Sequence, residues 1–311
     1  METVISTHNL TKYYGTRKVV DSLTLAVPKG CVYGFLGRNG AGKSTTIKML
    51  MGLVHPDRGG SEVLGEDSMK LTPATKARVA YMAEGHPLIA WMNVGQLARF
   101  QSGFYPTWNQ QYFEQLVDYF SLPGKLKIRH LSRGQRAQVS LALAVATDPE
   151  LLILDDPTLG LDTVVRRELL ESLIEIIQRK GRTIFFSSHI LGDVERVADR
   201  IGILVDGILR VDCPTERFKQ SLRKVVLEFS GPPPPFSDCR GLVGSRRLEH
   251  RLELVIANYN GEHHALLETL NPKQIEEVEM NLEDAFIEYT RGDYRPMPTL
   301  TKEERHVVDP V

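Results

Sequence analysis

The chain has 311 residues, enough for one large domain and one small one. Its 42% hydrophobic and 25% charged content is ordinary for a globular protein, and a formal net charge of −1 argues against broad electrostatic binding, so no nucleic-acid partner is expected. Three dispersed cysteines, Cys31, Cys213 and Cys239, form no CxxC pair and read as reduced, packed thiols rather than a disulfide frame or a metal site. The segment Met1-Glu2-Thr3-Val4 has no basic region followed by an apolar stretch, so no signal peptide is expected. No run approaches the ~18 apolar residues of a spanning helix, and any membrane work is expected from another chain.

In chain order, residues 3–10 and 22–27 alternate apolar and polar side chains, as half-buried strands do, with a turn expected at Tyr13-Tyr14-Gly15. Val32 to Leu36 is a short apolar run that ends in a glycine-rich loop, and a helix is expected from Ser44. Val79 to Met82, Leu151 to Leu154 and Thr183 to Phe186 are similar short runs, which predicts a parallel sheet buried on both faces. Residues 86 to about 145 carry helical patterns, among them Gln110 to Phe120 and Arg133 to Ala146, and read as a helical insertion. Beyond residue 220, strands are expected at Lys224 to Phe229 and Arg251 to Ala257, and helices at His263 to Leu270 and Leu282 to Tyr289. The stiff spacer Gly231-Pro232-Pro233-Pro234-Pro235 interrupts this small α/β region. The expected organisation is a large domain over 1–220, an accessory domain over 221–291 and a flexible tail over 292–311.

Gly37-Arg38-Asn39-Gly40-Ala41-Gly42-Lys43-Ser44 fits the pattern GxxxxGK[ST], placed between a predicted strand and a predicted helix. The glycines let backbone N–H groups turn inward around phosphate oxygens, and the helix N-terminus adds partial positive charge. Lys43 then contacts the β- and γ-phosphates, the Ser44 hydroxyl ligates Mg²⁺, and Thr45 or Thr46 reaches the α-phosphate. This much predicts nucleotide binding without choosing among kinase, GTPase and ATPase.

Leu131-Ser132-Arg133-Gly134-Gln135 resembles the LSGGQ signature of ATP-binding-cassette proteins, although Ser132 equally suits a helix N-cap. Downstream, Leu151-Leu152-Ile153-Leu154-Asp155-Asp156-Pro157-Thr158 looks like the Walker B segment of that family. Gly160-Leu161-Asp162 is similar to its D-loop, and Ser187-Ser188-His189 to its switch histidine. The ordered set covers about two-thirds of the chain, and the resemblance to the ATP-binding-cassette (ABC) family implies the following. The fold is α/β: a P-loop NTPase sheet domain with an antiparallel β subdomain and a helical insertion, plus a small C-terminal α/β domain. ATP and Mg²⁺ are the cofactors. Tyr14, or alternatively Tyr13, stacks on adenine; Asp155 and Ser44 hold Mg²⁺; His189 touches the γ-phosphate. Ser132, Gly134 and Gln135 of the signature, with Asp162 of the D-loop, complete the site of a second subunit, so the working form is a homodimer or heterodimer.

Two positions depart from the family pattern. Asp156 stands where glutamate usually positions or deprotonates the attacking water, and its shorter side chain predicts slow hydrolysis unless the local backbone compensates. Glu84 replaces the usual glutamine of the Q-loop in Val79-Ala80-Tyr81-Met82-Ala83-Glu84; it retains oxygens for a metal or water but cannot donate a hydrogen bond. The resemblance further implies a groove around Glu84 to Gln101, including Pro87, Leu88, Ile89, Trp91 and Met92, that receives a transmembrane permease subunit. The same side chains also suit the insertion's own core. Asn281-Leu282-Glu283-Asp284-Ala285-Phe286-Ile287 and the single cassette are similar to exporter subunits of the ABC-2 type, which implies a peripheral location on the cytoplasmic face of the cell membrane. The alternatives are a slowly hydrolysing regulatory switch and a non-transport cassette protein acting on ribosomes or DNA.

Overall fold

In the computed structural model, which describes residues 2–236 and 239–290, the alternating pattern of the first 28 residues builds a long antiparallel hairpin. β1 (Thr3–Tyr14) pairs with β2 (Arg17–Pro28), and Val4, Ile5 and Leu10 of one strand are buried with Val20, Leu23, Leu25 and Val27 of the other. The turn falls at Gly15 and Thr16, later than the sequence pattern predicts. Both tyrosines stay in the strand because Gly15 supplies the left-handed conformation, at φ +61°.

β3 (Val32–Leu36) is buried at all five positions and leads through the glycine-rich loop into α1 (Lys43–Leu50). β4 (Arg58–Val63) and β5 (Glu66–Asp67) extend the first hairpin into a four-stranded antiparallel sheet, ordered β2-β1-β4-β5. α2 (Pro73–Ala77) then precedes β6 (Val79–Met82). The helical stretch comprises α3 (Val94–Ser102), α4 (Gln110–Tyr119) and α5 (Arg133–Ala146); α3 has no counterpart in the sequence expectation. Met92, Val94, Leu97, Phe113, Leu116 and Ile128 pack this stretch onto α5, whose residues 141–146 are all buried.

β7 (Leu151–Leu154), α6 (Thr163–Lys180), β8 (Thr183–Ser188), α7 (Leu191–Val197), β9 (Arg200–Val205) and β10 (Ile208–Pro214) complete a six-stranded sheet ordered β10-β9-β3-β8-β7-β6. It is parallel except for its β10 edge. The register is what matters for function. Leu36 pairs with Ser188 and Phe186 with Leu154, so β3, β7 and β8 end at nearly one level and deliver their following residues to one edge.

After α8 (Thr215–Ser221), a second antiparallel sheet forms from β11 (Leu222–Glu228), β12 (Leu242–Arg247), β13 (Arg251–Ala257) and β14 (Gln274–Glu279), ordered β12-β13-β11-β14. α9 (Gly261–Glu268) covers it through Leu267, which joins Val225, Leu227, Leu252, Leu254 and Ile256 in a separate apolar cluster. α10 (Leu282–Thr290) behaves differently: its Ala285 and Phe286 pack into the large core with Val194 and Val197 of α7. The tail expected from residue 292 lies outside the described residues.

Packing of α7 on the sheet depends on Gly34, where a Cβ would lie 2.4 Å from Val194 Cγ1 and 3.2 Å from Ala198 Cβ. Gly34→Ala is expected to destabilise the fold by ~1–3 kcal/mol and to lower Tm by several degrees in thermal denaturation. An unchanged Tm would contradict this close approach.

Candidate nucleotide-binding site

The glycine-rich loop carries its strain where the motif places glycine. Gly40 and Gly42 adopt φ of +82° and +110°, and a Cβ on Gly42 would lie 2.5 Å from the Val19 carbonyl. The loop closes on itself through Lys43, whose Nζ donates to the carbonyls of Gly37 at 2.8 Å and Arg38 at 3.4 Å. Burial lowers the Lys43 pKa, opposed by the nearby carboxylates of Asp156, Asp155 and Glu84. Gly37, Ala41 and Gly42 are buried, whereas Arg38, Asn39 and Gly40 face solvent. Thr46 is buried and spends its hydroxyl on the Gly42 carbonyl at 3.0 Å, while Thr45 is half-buried.

Opposite the start of α1 stands Asp155, fully buried at the end of β7. Its Oδ1 accepts from Ser44 Oγ at 3.0 Å and from Ser187 Oγ at 2.8 Å. Its Oδ2 is buried with no hydrogen-bond partner. Burial raises the Asp155 pKa, and the two serine hydroxyls oppose that rise. Ser44 also reaches Glu84 Oε2 at 3.4 Å. Ser44, Asp155 and Glu84 thus present hard oxygen donors around one point, with an unmatched carboxylate oxygen among them. This fits Mg²⁺, which takes one or two carboxylates and fills its remaining positions with water and substrate phosphate. Among the described residues there is no cluster of three or more His, Cys, Asp or Glu that could hold a metal ion.

Asp156 follows in a left-handed conformation, φ +45°, which an aspartate tolerates better than most residues. Its backbone N–H donates to Ser187 Oγ at 2.9 Å, and its Oδ2 lies 2.8 Å from His189 Nδ1. Its Oδ1 is buried without a partner. Ser187 therefore links both aspartates, a role that no local sequence pattern marks because its partners lie about 30 residues away in the chain.

Tyr14 is 52% exposed at the end of β1, with Lys12 Nζ 5.7 Å from its ring centroid; Tyr13 is half-buried near Lys18. The adjoining hairpin turn touches the loop through Arg17, which donates to the Gly40 carbonyl at 3.4 Å. A cleft of about 960 Å³ opens here, lined by Arg17, Arg38, Asn39, Ala41 and His189, and also by Val243 and Phe286 from beyond residue 220. That volume suits a nucleotide-sized ligand.

The signature residues lie elsewhere. Ser132 caps α5, accepting from Gln135 N at 3.1 Å while Gln135 Oε1 accepts from Ser132 N at 3.0 Å. Gly134 lets α6 approach: a Cβ there would lie 2.9 Å from Val165. Asp162 caps α6, its Oδ1 accepting from the N–H groups of Val164 and Val165 at 3.0 Å each. None of Ser132, Gly134, Gln135 and Asp162 lines the cleft beside the phosphate loop. The proposed groove residues divide: Met92 belongs to the core, Leu88 and Ile89 pack against it half-buried, and Trp91 is 64% exposed.

Comparison with known proteins agrees with this geometry. The ABC transporter family model matches residues 20–159. The bacitracin transport ATP-binding protein BcrA of Bacillus licheniformis is 36% identical over 231 residues, spanning 74% of this chain and 75% of BcrA. The ABC transporter ATP-binding protein YtrB of Bacillus subtilis is 29% identical over 298 residues, spanning 94% of this chain and all of YtrB. A solved dimeric ATP-binding cassette in a post-hydrolysis state with ADP and Pi superposes with a TM-score of 0.61 at 19% identity, covering 68% of this chain and 98% of that one. The chain belongs to the ABC transporter ATP-binding proteins, a family of ATPases.

Ser187→Ala removes a donor from Asp155 and strands the buried N–H of Asp156. It is expected to cost ~1–3 kcal/mol in denaturant unfolding and to weaken binding of a fluorescent ATP analogue in the presence of Mg²⁺.

Proposed function

We propose that this chain binds ATP and Mg²⁺ at the edge formed by β3, β7 and β8, dimerises around the nucleotide, and drives a separate transmembrane permease in export from the cytoplasmic face of the membrane. Residues 1–220 form the cassette, with its insertion over about 86–145, and residues 221–291 form an accessory domain. The observation that carries the reading is the hydrogen-bonded series Ser44–Asp155–Ser187–Asp156–His189, set beside Lys43 and the phosphate loop.

In this arrangement Lys43 leaves the Gly37 and Arg38 carbonyls for the β- and γ-phosphate oxygens, and Tyr14 stacks on the base. Ser44, Asp155 and Glu84 would hold Mg²⁺, which would supply positive charge beside the phosphates. Asp156 orients the attacking water and accepts its proton, while His189 fixes the carboxylate and meets the γ-phosphate. Ser132, Gly134 and Gln135 serve the γ-phosphate of the other subunit through the N-terminus of their helix. No helix of the described residues is long and apolar enough to cross a membrane, in keeping with a separate permease. The name of the bacitracin relative supports transport.

Asp156 is one methylene shorter than glutamate, and a misplacement near 1 Å costs about 100-fold in rate. Phosphate release by the purified chain is expected to be slow, to fall to background in Lys43→Ala, and to rise by up to about 100-fold in Asp156→Glu. A fall or no change in Asp156→Glu refutes the slow-base reading. Separately, ATP with Mg²⁺ is expected to convert a slowed variant, Asp156→Asn, into a dimer by light scattering, and Ser132→Arg is expected to prevent this.

A further inference from the structure

The helix that follows His189 cannot hold its own position. α7 has seven residues, from Leu191 to Val197, and no side-chain cap at Ile190. Isolated helices shorter than ~12 residues are marginal in water, so α7 is placed by what packs against it. His189 shares that dependence. Only Ile190 separates it from α7, and Ser188 Oγ tightens the turn between them by accepting from Ile190 N at 3.0 Å.

Three contacts place α7. On β3, Gly34 gives Val194 a seat with no room for a Cβ. Beyond β7, Thr158 Oγ1 donates to Asp193 Oδ2 at 2.7 Å, and both side chains are buried. Thr158 stands two residues after Asp156, so this bond joins the same two segments as the His189–Asp156 pair. The third contact is α10, which lies against α7 and buries Ala285 and Phe286 in the core that contains Val194 and Val197.

The first two contacts come from within residues 1–220; the third does not. Asn281 Oδ1 accepts from Asp284 N at 2.7 Å and fixes the start of α10. Phe286 borders the same cleft as His189, yet it is only 6% exposed, so its ring is spent on packing rather than on a ligand.

We propose that Phe286 is a positioning residue for His189: seated on α7, it holds His189 Nδ1 at 2.8 Å from Asp156 Oδ2, and the region after residue 220 thereby governs the hydrolytic step without binding nucleotide. The proposal rests on the reading that this chain hydrolyses ATP at Asp156 and His189. A displacement of ~1 Å costs about 100-fold in rate, so a few tenths of an ångström at His189 is worth about tenfold.

Single-turnover hydrolysis by the full chain, with Kd for a fluorescent ATP analogue and Tm measured alongside, tests this. Phe286→Leu is expected to lower the rate about tenfold and Phe286→Ala further, with Kd within about twofold of the wild type. In a His189→Ala background, Phe286→Leu is expected to change the remaining rate by less than about twofold, because the group it positions is gone. A folded Phe286→Leu with the wild-type rate overturns the inference, as does the same loss with and without His189. A Kd that rises in step with the fall in rate overturns it too, because Phe286 is then a ligand contact. Para-fluorophenylalanine at position 286 is nearly isosteric with phenylalanine and reads the link without hydrolysis. Its fluorine resonance is expected to shift in His189→Ala, and an unmoved resonance overturns the inference. Absence of phosphate release from both the wild type and Asp156→Glu, with the analogue still bound, overturns the hydrolysis reading instead. The fluorine resonance then decides by itself whether Phe286 holds His189.

Discussion

The fully buried carboxylate of Asp155 organises this molecule. Taking a carboxylate out of water is costly unless hydrogen bonds and opposite charge compensate it. Here Ser44 of α1 and Ser187 of β8 share one oxygen, and Lys43 lies close by. Burial disfavours the charged forms of both Asp155 and Lys43, so each is incompletely satisfied by the protein alone. The arrangement also makes three elements answer to one ligand, because any shift of α1 is felt in β7 and β8 through hydrogen bonds of about 3 Å.

From that point the structure spreads in two directions. Through Ser187 the network reaches Asp156 and His189, which gives the left-handed Asp156 a defined carboxylate orientation despite its short reach. Through the chain beyond Asp156 it reaches Gly160 and Asp162, where Arg133 of the signature lies against Gly160 and Gly134 against Val165. The first turn of α5 and the segment from Gly160 to the start of α6 are thus packed together within one chain. On the opposite side, Met82 at the end of β6 leads into Glu84 beside Ser44 and then into the buried His86.

The region after residue 220 is less separate than its own sheet suggests. Its apolar cluster around Leu254 stands apart, yet Phe286 of α10 packs into the large core and also borders the cleft of the phosphate loop, together with Val243. That contact joins the region after residue 220 to the wall of the same cleft.

Much of this was legible in the residues. The loop before α1, the strand β7 and the helix α5 are legible because each is a local pattern of residue types at fixed spacing, and Val79–Met82, Leu151–Leu154 and Arg251–Ala257 have the expected bounds. The hairpin turn falls about one residue later than the pattern predicts, and α3, β4, β9, β10, β12 and β14 have no counterpart among the predicted elements; β4 and β12 are short runs that contain glycine and have weak periodicity. Motif order determined the class of protein. Tertiary structure alone decided that Ser187 joins the two aspartates, that Met92 is core while Trp91 is surface, and that His86 is buried with both nitrogens unmatched. The reason is physical: local sequence sets which groups a segment offers, but whether a buried group finds its partner depends on elements far away in the chain and close in space.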